Sequence, residues 1–191
     1  MKRMLILFAL LAFSGTALAG FSLGFKPLDL PYMVDGTGSY ADMTNVPMLR
    51  IGWGASPEFR IEILAGYDKW SWDGSDGTSE ANGSIFSMGG SAFYVIASPS
   101  NTICSIGGSF VYSKASGEVG NTDTPGTSGY SIYPIVRVDF AIPGAERFAL
   151  FTEFGARYVS ATTDYEAGDA KYSDFSTWGS ENILGGAYYS F

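Results

Sequence analysis

Apolar and polar residues alternate along most of the chain. Between positions 147 and 160, even positions hold residues such as Phe148 and Leu150, whereas odd positions hold Glu153 and Arg157. Two further segments with the same alternation are 59–67 and 130–142. Successive side chains of a strand point to opposite faces, so each segment is predicted to be a β-strand with one apolar and one charged face.

Eight such strands are predicted, at 20–28, 46–55, 58–69, 84–98, 102–115, 129–142, 147–163 and 178–191. Three connections are short and hold turn-forming residues, at 56–57, 99–101 and 143–146. Four are long and polar, at 29–45, 70–83, 116–128 and 164–177. Short turns at one end and long loops at the other are typical of bacterial outer-membrane barrels. The predicted fold class is all-β, an eight-stranded antiparallel up-and-down transmembrane β-barrel.

Aromatic residues on the apolar faces form two groups. Those near the short turns are Trp53, Phe59, Tyr94, Phe140, Phe148 and Phe191. Those near the long loops are Phe25, Tyr67, Phe86, Tyr112, Tyr130 and Tyr158. Aliphatic residues such as Ile63 and Leu150 lie between the two groups. Two aromatic girdles around an apolar band match the two interfaces of a membrane.

A soluble β-barrel or sandwich, with the apolar faces turned inward, would show the same alternation. The charged faces argue against it, because Glu62 and Arg137 share those faces with small residues such as Ser105 and Gly107. A narrow closed barrel holds small side chains and compensated charges inside it. The membrane barrel is therefore the favoured interpretation.

The first 19 residues have the pattern of a secretory signal peptide. Lys2 and Arg3 precede an apolar run at 4–13, and residues 17–19, Ala-Leu-Ala, form a small-x-small cleavage site. The apolar run is too short to span a bilayer as a helix, which takes roughly 20 residues. The predicted domains are a signal peptide at 1–19 and an outer-membrane β-barrel at 20–191.

Charge and composition exclude several classes of function. Without Lys2 and Arg3, nine basic residues remain against 19 acidic ones, a net charge of about −10. Nucleic acid is not an expected partner, because phosphate binding needs a basic face. The chain has no histidine, which excludes a Ser–His pair and histidine-based metal sites. We expect no catalytic residues, no cofactor and no metal, and we expect Cys104 on the lipid face of strand five.

The last six residues resemble the signal by which outer-membrane proteins are recognised for insertion. Gly186, Tyr189 and Phe191 fit that signal, whereas Gly185 replaces the polar residue that usually precedes the glycine. With this ending, length and architecture, the chain resembles the small eight-stranded outer-membrane barrels of the OmpX/Ail and OmpA-barrel type. The resemblance implies a bacterial outer-membrane location, with the lipid bilayer, lipopolysaccharide and the outer-membrane insertion machinery as partners.

Charged residues on the predicted inward faces form a candidate site in the lumen. They are Arg50, Arg60, Glu62, Arg137, Asp139, Glu153 and Arg157, joined by Lys26, Asp68 and Arg147. An eight-stranded barrel is just wide enough to be filled by its side chains. A lattice of ion pairs that plugs the lumen is favoured, since buried charges must be paired. The alternative is a narrow charged pore or a gate.

The predicted long loops hold most of the acidic residues, namely Asp29, Asp35, Asp42, Asp73, Asp76, Glu80, Glu118, Asp123, Asp164, Glu166, Asp169 and Asp174. A solvated surface is the simplest interpretation, and a surface for a divalent cation or a cationic partner is the alternative. Aromatic candidates for anchoring a surface ligand are Tyr40, Trp70, Trp72, Tyr165, Tyr172 and Phe175.

The predicted function is a non-enzymatic outer-membrane β-barrel protein displaying acidic extracellular loops, for envelope integrity or surface interaction such as adhesion. The alternative is a narrow channel for ions or small solutes. A histidine-free lipid-modifying enzyme is a third hypothesis, because enzymes that acylate or deacylate lipid A are built on such barrels. No residue pattern in this chain supports that third hypothesis.

Two prolines lie inside or at the end of predicted strands. Pro27 lies near the end of strand one and Pro134 lies inside strand six. Neither residue donates a ladder hydrogen bond, so we predict a β-bulge at each position.

Overall fold

The chain is described by a computed structural model that covers 20–33, 40–54, 56–72, 81–119, 122–123, 125–165, 168–177 and 183–191. Its strands are β1 Phe21–Met33, β2 Tyr40–Gly54, β3 Phe59–Trp72, β4 Ala81–Ala97, β5 Thr102–Val119, β6 Thr122–Asp123, β7 Thr127–Ile142, β8 Ala145–Gly155, β9 Arg157–Thr163, β10 Ala170–Ser176 and β11 Ile183–Ser190. Over these ranges no helix is long and apolar enough to cross a membrane.

These strands form a closed barrel whose wall has eight antiparallel segments. Each segment is called a stave below, since two of the eight are built from two strands. β8 and β9 together make the seventh stave, and β10 and β11 make the eighth, because β9 pairs with β10 and β8 pairs with β11. The short β6 pairs only with the end of β5. Pairing of β11 with β1 closes the barrel. The predicted eight-stranded antiparallel β-barrel is confirmed.

Alternate residues of each strand point into and out of the barrel, as the period of two requires. In β7 the inward residues Ser131, Arg137 and Asp139 are buried, whereas outward Ile132 and Phe140 are exposed. The polar face is therefore inside the barrel and the apolar face outside. A soluble barrel would show the reverse arrangement.

The outward face forms an apolar belt. Phe25 is 66% exposed, Ile63 is 62% exposed and Trp53 is 50% exposed. Other exposed members are Phe59, Tyr67, Phe86, Tyr94, Tyr112, Tyr130, Phe140, Phe148, Leu150, Tyr189 and Phe191. Contiguous apolar surface of this extent is unfavourable in water and favourable against lipid. Cys104 lies half-buried on this outward face.

The strands extend further toward the loops than the sequence predicted. β1 and β2 run to Met33 and from Tyr40, and β3 and β4 run to Trp72 and from Ala81. The eighth stave begins with β10 at 170, inside the segment predicted as the last long loop. Much of what was predicted as loop is therefore barrel wall.

The predicted bulge at Pro134 is wrong. β5 pairs with β7 in unbroken register through Gly108 and Pro134, and on both sides of Pro134 β7 keeps one register against β8 and β9, from Thr127 to Ala141. Pro134 directs its carbonyl toward Ala156, whose N–H donates to it over 3.2 Å. The missing proline N–H therefore faces Ala156, and the seventh stave is interrupted there without an extra residue.

The predicted bulge at Pro27 is also wrong. Pro27 and Pro47 face each other in a regular β1–β2 register. The irregularity in this pair lies between Leu30 and Tyr32, nearer to the loop end. Further register shifts occur between Val95 and Ala97 and between Ala141 and Ile142, near the short turns.

Candidate functional site

Arg137 is the centre of a charged cluster in the barrel lumen. Its guanidinium donates through Nη1 to Glu62 Oε1 over 2.6 Å, and through Nε and Nη2 to Asp139 Oδ1 over 3.0 Å and 2.8 Å. Glu153 Oε1 lies 3.6 Å from Arg137 Nη1. Arg137 is 1% exposed, so its charge is compensated by protein carboxylates rather than by solvent.

Three other cations complete the cluster by sharing the same carboxylates. Arg50 Nη2 lies 2.5 Å from Glu62 Oε1, and Lys26 Nζ lies 2.5 Å from Glu153 Oε2. Arg60, which is partly exposed, reaches Asp139 Oδ2 over 3.5 Å. Together Lys26, Arg50, Arg60, Glu62, Arg137, Asp139 and Glu153 are called the ion-pair cluster below.

Aromatic rings pack against the two buried arginines of the ion-pair cluster. Arg137 Cζ lies 3.9 Å from the ring centroid of Phe151, and Arg50 Cζ lies 4.2 Å from that of Tyr188. Phe93 also faces Arg137, at 5.2 Å. Cation–π contacts of this kind are strongest where water is excluded, so the rings stabilise both guanidinium groups.

These inward aromatic residues are not among the site residues predicted from the sequence. Phe151 shares the odd positions of its strand with Glu153 and Arg157, so the alternation contained the signal. Aromatic residues in a membrane barrel are expected mainly at the interfaces, which drew attention to the outward rings instead.

The remaining predicted lumen residues lie apart from the ion-pair cluster. Arg157 is buried in β9, and its Nη2 lies 3.8 Å from Asp174 Oδ2 of β10. Asp174, predicted as a loop acid, is therefore an inward strand residue. Asp68 is half-buried, while Arg147, predicted to point inward, is exposed beside the short turn at 143–144.

The lumen toward the long loops is lined by apolar and small side chains. A cluster of buried residues there and at mid-height consists of Met48, Leu64, Ile85, Phe93, Val111, Ala115, Tyr133 and Ile135. A cavity lined by Ile85, Ala115, Val159 and Ala161 has a volume of only about 20 Å³. Since a water molecule needs about 10–15 Å³ by this measure, the cavity holds about one.

The lumen toward the short turns is more open. A cavity of about 360 Å³ lies there, among residues of β1, β2, β3 and β11. Arg50, Arg60 and Tyr188 line it, so it borders the ion-pair cluster. The two ends of the lumen therefore differ in both polarity and space.

The candidate insertion-signal residues lie in and beside the closing strand. Gly186 faces the lumen, and a side chain there would overlap the Phe25 carbonyl and the Phe151 ring. Tyr189 and Phe191 point outward with their ring centroids 5.4 Å apart. Phe191 N–H donates to the Phe21 carbonyl over 3.0 Å, which ties the C-terminus to β1.

The acidic loop candidates are only partly described. Asp73, Asp76, Glu80, Asp35 and Glu166 lie outside the described residues. Glu118 and Asp123 face each other across β5 and β6, and Glu118 accepts a hydrogen bond from Asn82 Nδ2 over 3.3 Å. Over the described ranges, no group of three His, Cys, Asp or Glu side chains is arranged to hold a metal ion.

A closed barrel with an apolar exterior and a charged interior defines an integral membrane protein of the outer-membrane β-barrel class. Two solved structures share this fold with a TM-score of 0.51 and 14% identity: a major outer membrane protein from Thermus thermophilus and outer membrane protein W from E. coli. The alignments cover 90% and 91% of this chain and 98% of each other chain.

Ail, the attachment invasion locus protein of Yersinia pestis, is similar with a TM-score of 0.48 and 12% identity, over 90% of this chain and 99% of that one. No known protein family matches the sequence, and no curated protein is significantly similar to it. The closed eight-stranded barrel and the two structures with a TM-score of 0.51 confirm the resemblance to small eight-stranded outer-membrane barrels at the level of fold, and the apolar belt agrees with a bacterial outer-membrane location.

Proposed function

We propose that this outer-membrane barrel is a non-enzymatic scaffold that displays acidic loops at the cell surface, for envelope integrity or surface interaction such as adhesion. The observation that carries the proposal is the filled lumen. Ion pairs occupy it toward the short turns, and fully buried apolar side chains such as Leu64 and Val111 occupy it further toward the loops. A barrel filled in this way acts through its wall and its loops.

The narrow channel remains the second candidate, because the cavity of about 360 Å³ lies within the lumen. A solute leaving that cavity toward the loops would have to displace buried side chains such as Leu64 and Val111, both 0% exposed. The filled upper lumen therefore favours the scaffold. No described group of residues favours the enzyme.

Lipopolysaccharide is the proposed partner of the outer wall near the loops. Lys69 and Lys114 are exposed on the outward faces of β3 and β5. They lie close in sequence to the outward aromatic residues Tyr67 and Tyr112. Ammonium groups above an aromatic girdle suit the phosphate groups of an anionic lipid.

The proposal also covers the export of the protein and its assembly into the membrane. Residues 1–19, which lie outside the described residues, act as a cleaved signal peptide, and 20–191 form the barrel. Gly186, Tyr189 and Phe191 present the insertion signal to the insertion machinery on the closing strand. The tight fit of Gly186 against Phe151 gives that glycine a structural role as well.

The test compares loop acids with acids at the opposite end of the barrel. One variant carries Asp73→Asn and Asp76→Asn, and its matched control carries Glu58→Gln and Glu146→Gln at the short turns. Cells of a Gram-negative host producing each protein are tested for adhesion to a polylysine-coated surface. We expect adhesion to fall for the loop variant and to stay unchanged for the control, because only the loops face outward.

Envelope integrity is measured in the same cells as leakage of a periplasmic enzyme. Host cells that produce the barrel should leak less of this enzyme than cells with an empty vector, and Arg137→Ala protein should reduce the leakage in proportion to the amount that is inserted. If the protein changes neither adhesion nor leakage while the purified barrel conducts ions, the scaffold proposal is wrong and the channel is correct.

A further inference from the structure

The cavity at the short-turn end of the lumen, called the chamber below, has a mixed lining in which polar side chains lie beside Trp53, Pro57 and Ile61. Its lining includes Ser22 and Ser190 from β1 and β11, and Arg50 and Arg60 from β2 and β3. With about 360 Å³ it has the size of a small-molecule site. In an outer-membrane barrel with an even number of strands, the short turns face the periplasm, so this chamber opens to that compartment.

Arg50 forms the inner end of the chamber and has unused hydrogen-bonding capacity. The residue is 2% exposed, and only its Nη2 contacts a carboxylate, that of Glu62. Its Nε and Nη1 have no hydrogen-bond partner among the described residues. Both atoms are covered by protein, so they lie beneath the lining of the chamber, and an anion would approach Arg50 through the part of its side chain that lines the chamber.

Gly52 makes room for this arrangement. A Cβ at position 52 would lie 2.5 Å from Ser22 Oγ and 3.0 Å from Arg50 Nη2. The guanidinium of Arg50 and the Ser22 hydroxyl therefore both extend over Gly52, toward the short turns. Two different donors converge on the same part of the chamber because this position has no side chain.

The charges around the chamber do not balance. In the ion-pair cluster, four cations share three carboxylates: Lys26, Arg50, Arg60 and Arg137 against Glu62, Asp139 and Glu153. Arg60 makes only a long contact of 3.5 Å to Asp139 and is the partly exposed member. The chamber thus has an excess of positive charge on residues that already line it.

We propose that the periplasmic chamber binds a small anion bearing a carboxylate or phosphate group, held between Arg50 and Arg60. Arginine suits this role because its planar set of donors matches both groups. Ser22 and Ser190 supply neutral donors beside the anion, and the anion neutralises the excess charge of the cluster. The site lies apart from the loop surface on which the proposed function rests.

Two kinds of molecule in the periplasm carry a carboxylate or phosphate group. One is a free solute such as phosphate or a dicarboxylate. The other is the phosphate of an anionic lipid headgroup in the inner leaflet, which lies level with the barrel mouth. Either source satisfies the same donors, so the experiment has one arm for each.

The experiment uses protein purified from the outer membrane of an expressing host and labelled with ¹⁵N-arginine. The Nε–H resonances of Arg50 and Arg60 are followed while inorganic phosphate or succinate is added in zwitterionic detergent at constant ionic strength. The second arm compares nanodiscs of phosphatidylcholine with nanodiscs containing phosphatidylglycerol. We expect saturable shifts of both resonances in at least one arm, with Arg157 unchanged.

Variants identify the residues responsible. Arg60→Gln, at a partly exposed position, should weaken binding at least about tenfold, because it removes one of two charged donors. Arg50→Lys keeps the charge and loses the planar donors, so it should also weaken binding. The matched control Arg157→Met removes a buried arginine that does not line the chamber and should change the affinity less than about twofold.

Three results would overturn the proposal. They are the absence of saturable shifts in both arms, shifts that chloride reproduces at the same concentration, and equal weakening by Arg60→Gln and Arg157→Met. Saturation by soluble anions identifies a free solute as the ligand class, and a response confined to anionic nanodiscs identifies a lipid headgroup.

Discussion

The two ends of the lumen are filled by different kinds of side chain. Toward the short turns, Arg50, Glu62, Arg137 and Asp139 fill the space with paired charges and leave a chamber of about 360 Å³. Toward the loops, buried apolar residues such as Val111 pack against one another around a cavity of about 20 Å³. The wall is similar around both ends, so the difference lies in the inward side chains.

This difference indicates that packing of apolar side chains closes a narrow lumen, whereas ion pairs determine which inward residues must face one another. Apolar contacts at the loop end exclude water without requiring a fixed set of partners. Each charge at the other end must find its partner, because an unpaired buried charge is costly. The charged end therefore requires specific partners. Substitutions there should lower the stability of the barrel more than substitutions at the loop end.

The largest effect is expected from Arg137→Ala. This change leaves Glu62 and Asp139 without their shared guanidinium and should lower the free energy of unfolding by about 3–5 kcal/mol. Urea unfolding in phosphatidylcholine vesicles, followed by tryptophan fluorescence, measures it. Lys114→Ala on the exposed outer face is the control and should change stability little; equal effects of the two variants would contradict the role of the ion pairs.

Ile85→Ala tests the apolar end of the lumen. Ile85 is 2% exposed, and removing its buried methyl and methylene groups should cost about 2–4 kcal/mol in unfolding free energy. The matched control is Met88→Ala, whose side chain faces outward and is 54% exposed. If the outward variant loses as much stability as Ile85→Ala, the loop end is not tightly packed.

Substitutions at two neighbouring glycines of the closing strand distinguish a structural role from a role in recognition by the insertion machinery. Gly186→Ala forces a methyl group against Phe25 and Phe151 and should cost about 1–3 kcal/mol. In Gly185→Ala the new Cβ would lie 3.4 Å from the Phe151 carbonyl oxygen, which is ordinary contact, so stability should hardly change. Unfolding in vesicles measures both. Loss of insertion without loss of stability in Gly186→Ala would instead favour recognition alone.

The smallest effect is expected from Pro134→Val. Valine restores an N–H opposite Ala156 and should add one ladder hydrogen bond, with a gain of about 0.5–1.5 kcal/mol. The same measurement applied to Pro143→Val, at an exposed turn, should show no gain. A loss of stability in Pro134→Val would mean that the interruption at Ala156 has another cause.

Alternation in the sequence was sufficient to predict the eight staves and the inward placement of Glu62, Arg137 and Glu153. It failed at the ends of the strands that lie toward the loops. In β10 the outward residues Lys171 and Ser173 are polar, so apolar alternation disappears although the strand continues.

The partners within the lumen could not be predicted from alternation. The period of two places Arg137 and Asp139 on one inward face, but the relative stagger of the strands decides that Glu62 of β3 reaches Arg137 of β7. Inward Phe151 and Tyr188 follow from the same period, whereas their stacking on guanidinium groups depends on side-chain directions. The chamber and its unused donors are likewise three-dimensional features.

The most direct test of a filled lumen is single-channel conductance of the refolded barrel in planar bilayers. A heat-dependent shift in gel mobility confirms that the protein is folded before it is added. A lumen filled by ion pairs and apolar side chains should give no conductance steps at voltages of either sign. Reproducible steps whose size changes in Arg137→Ala would show that ions pass the ion-pair cluster, and would make this protein a narrow channel.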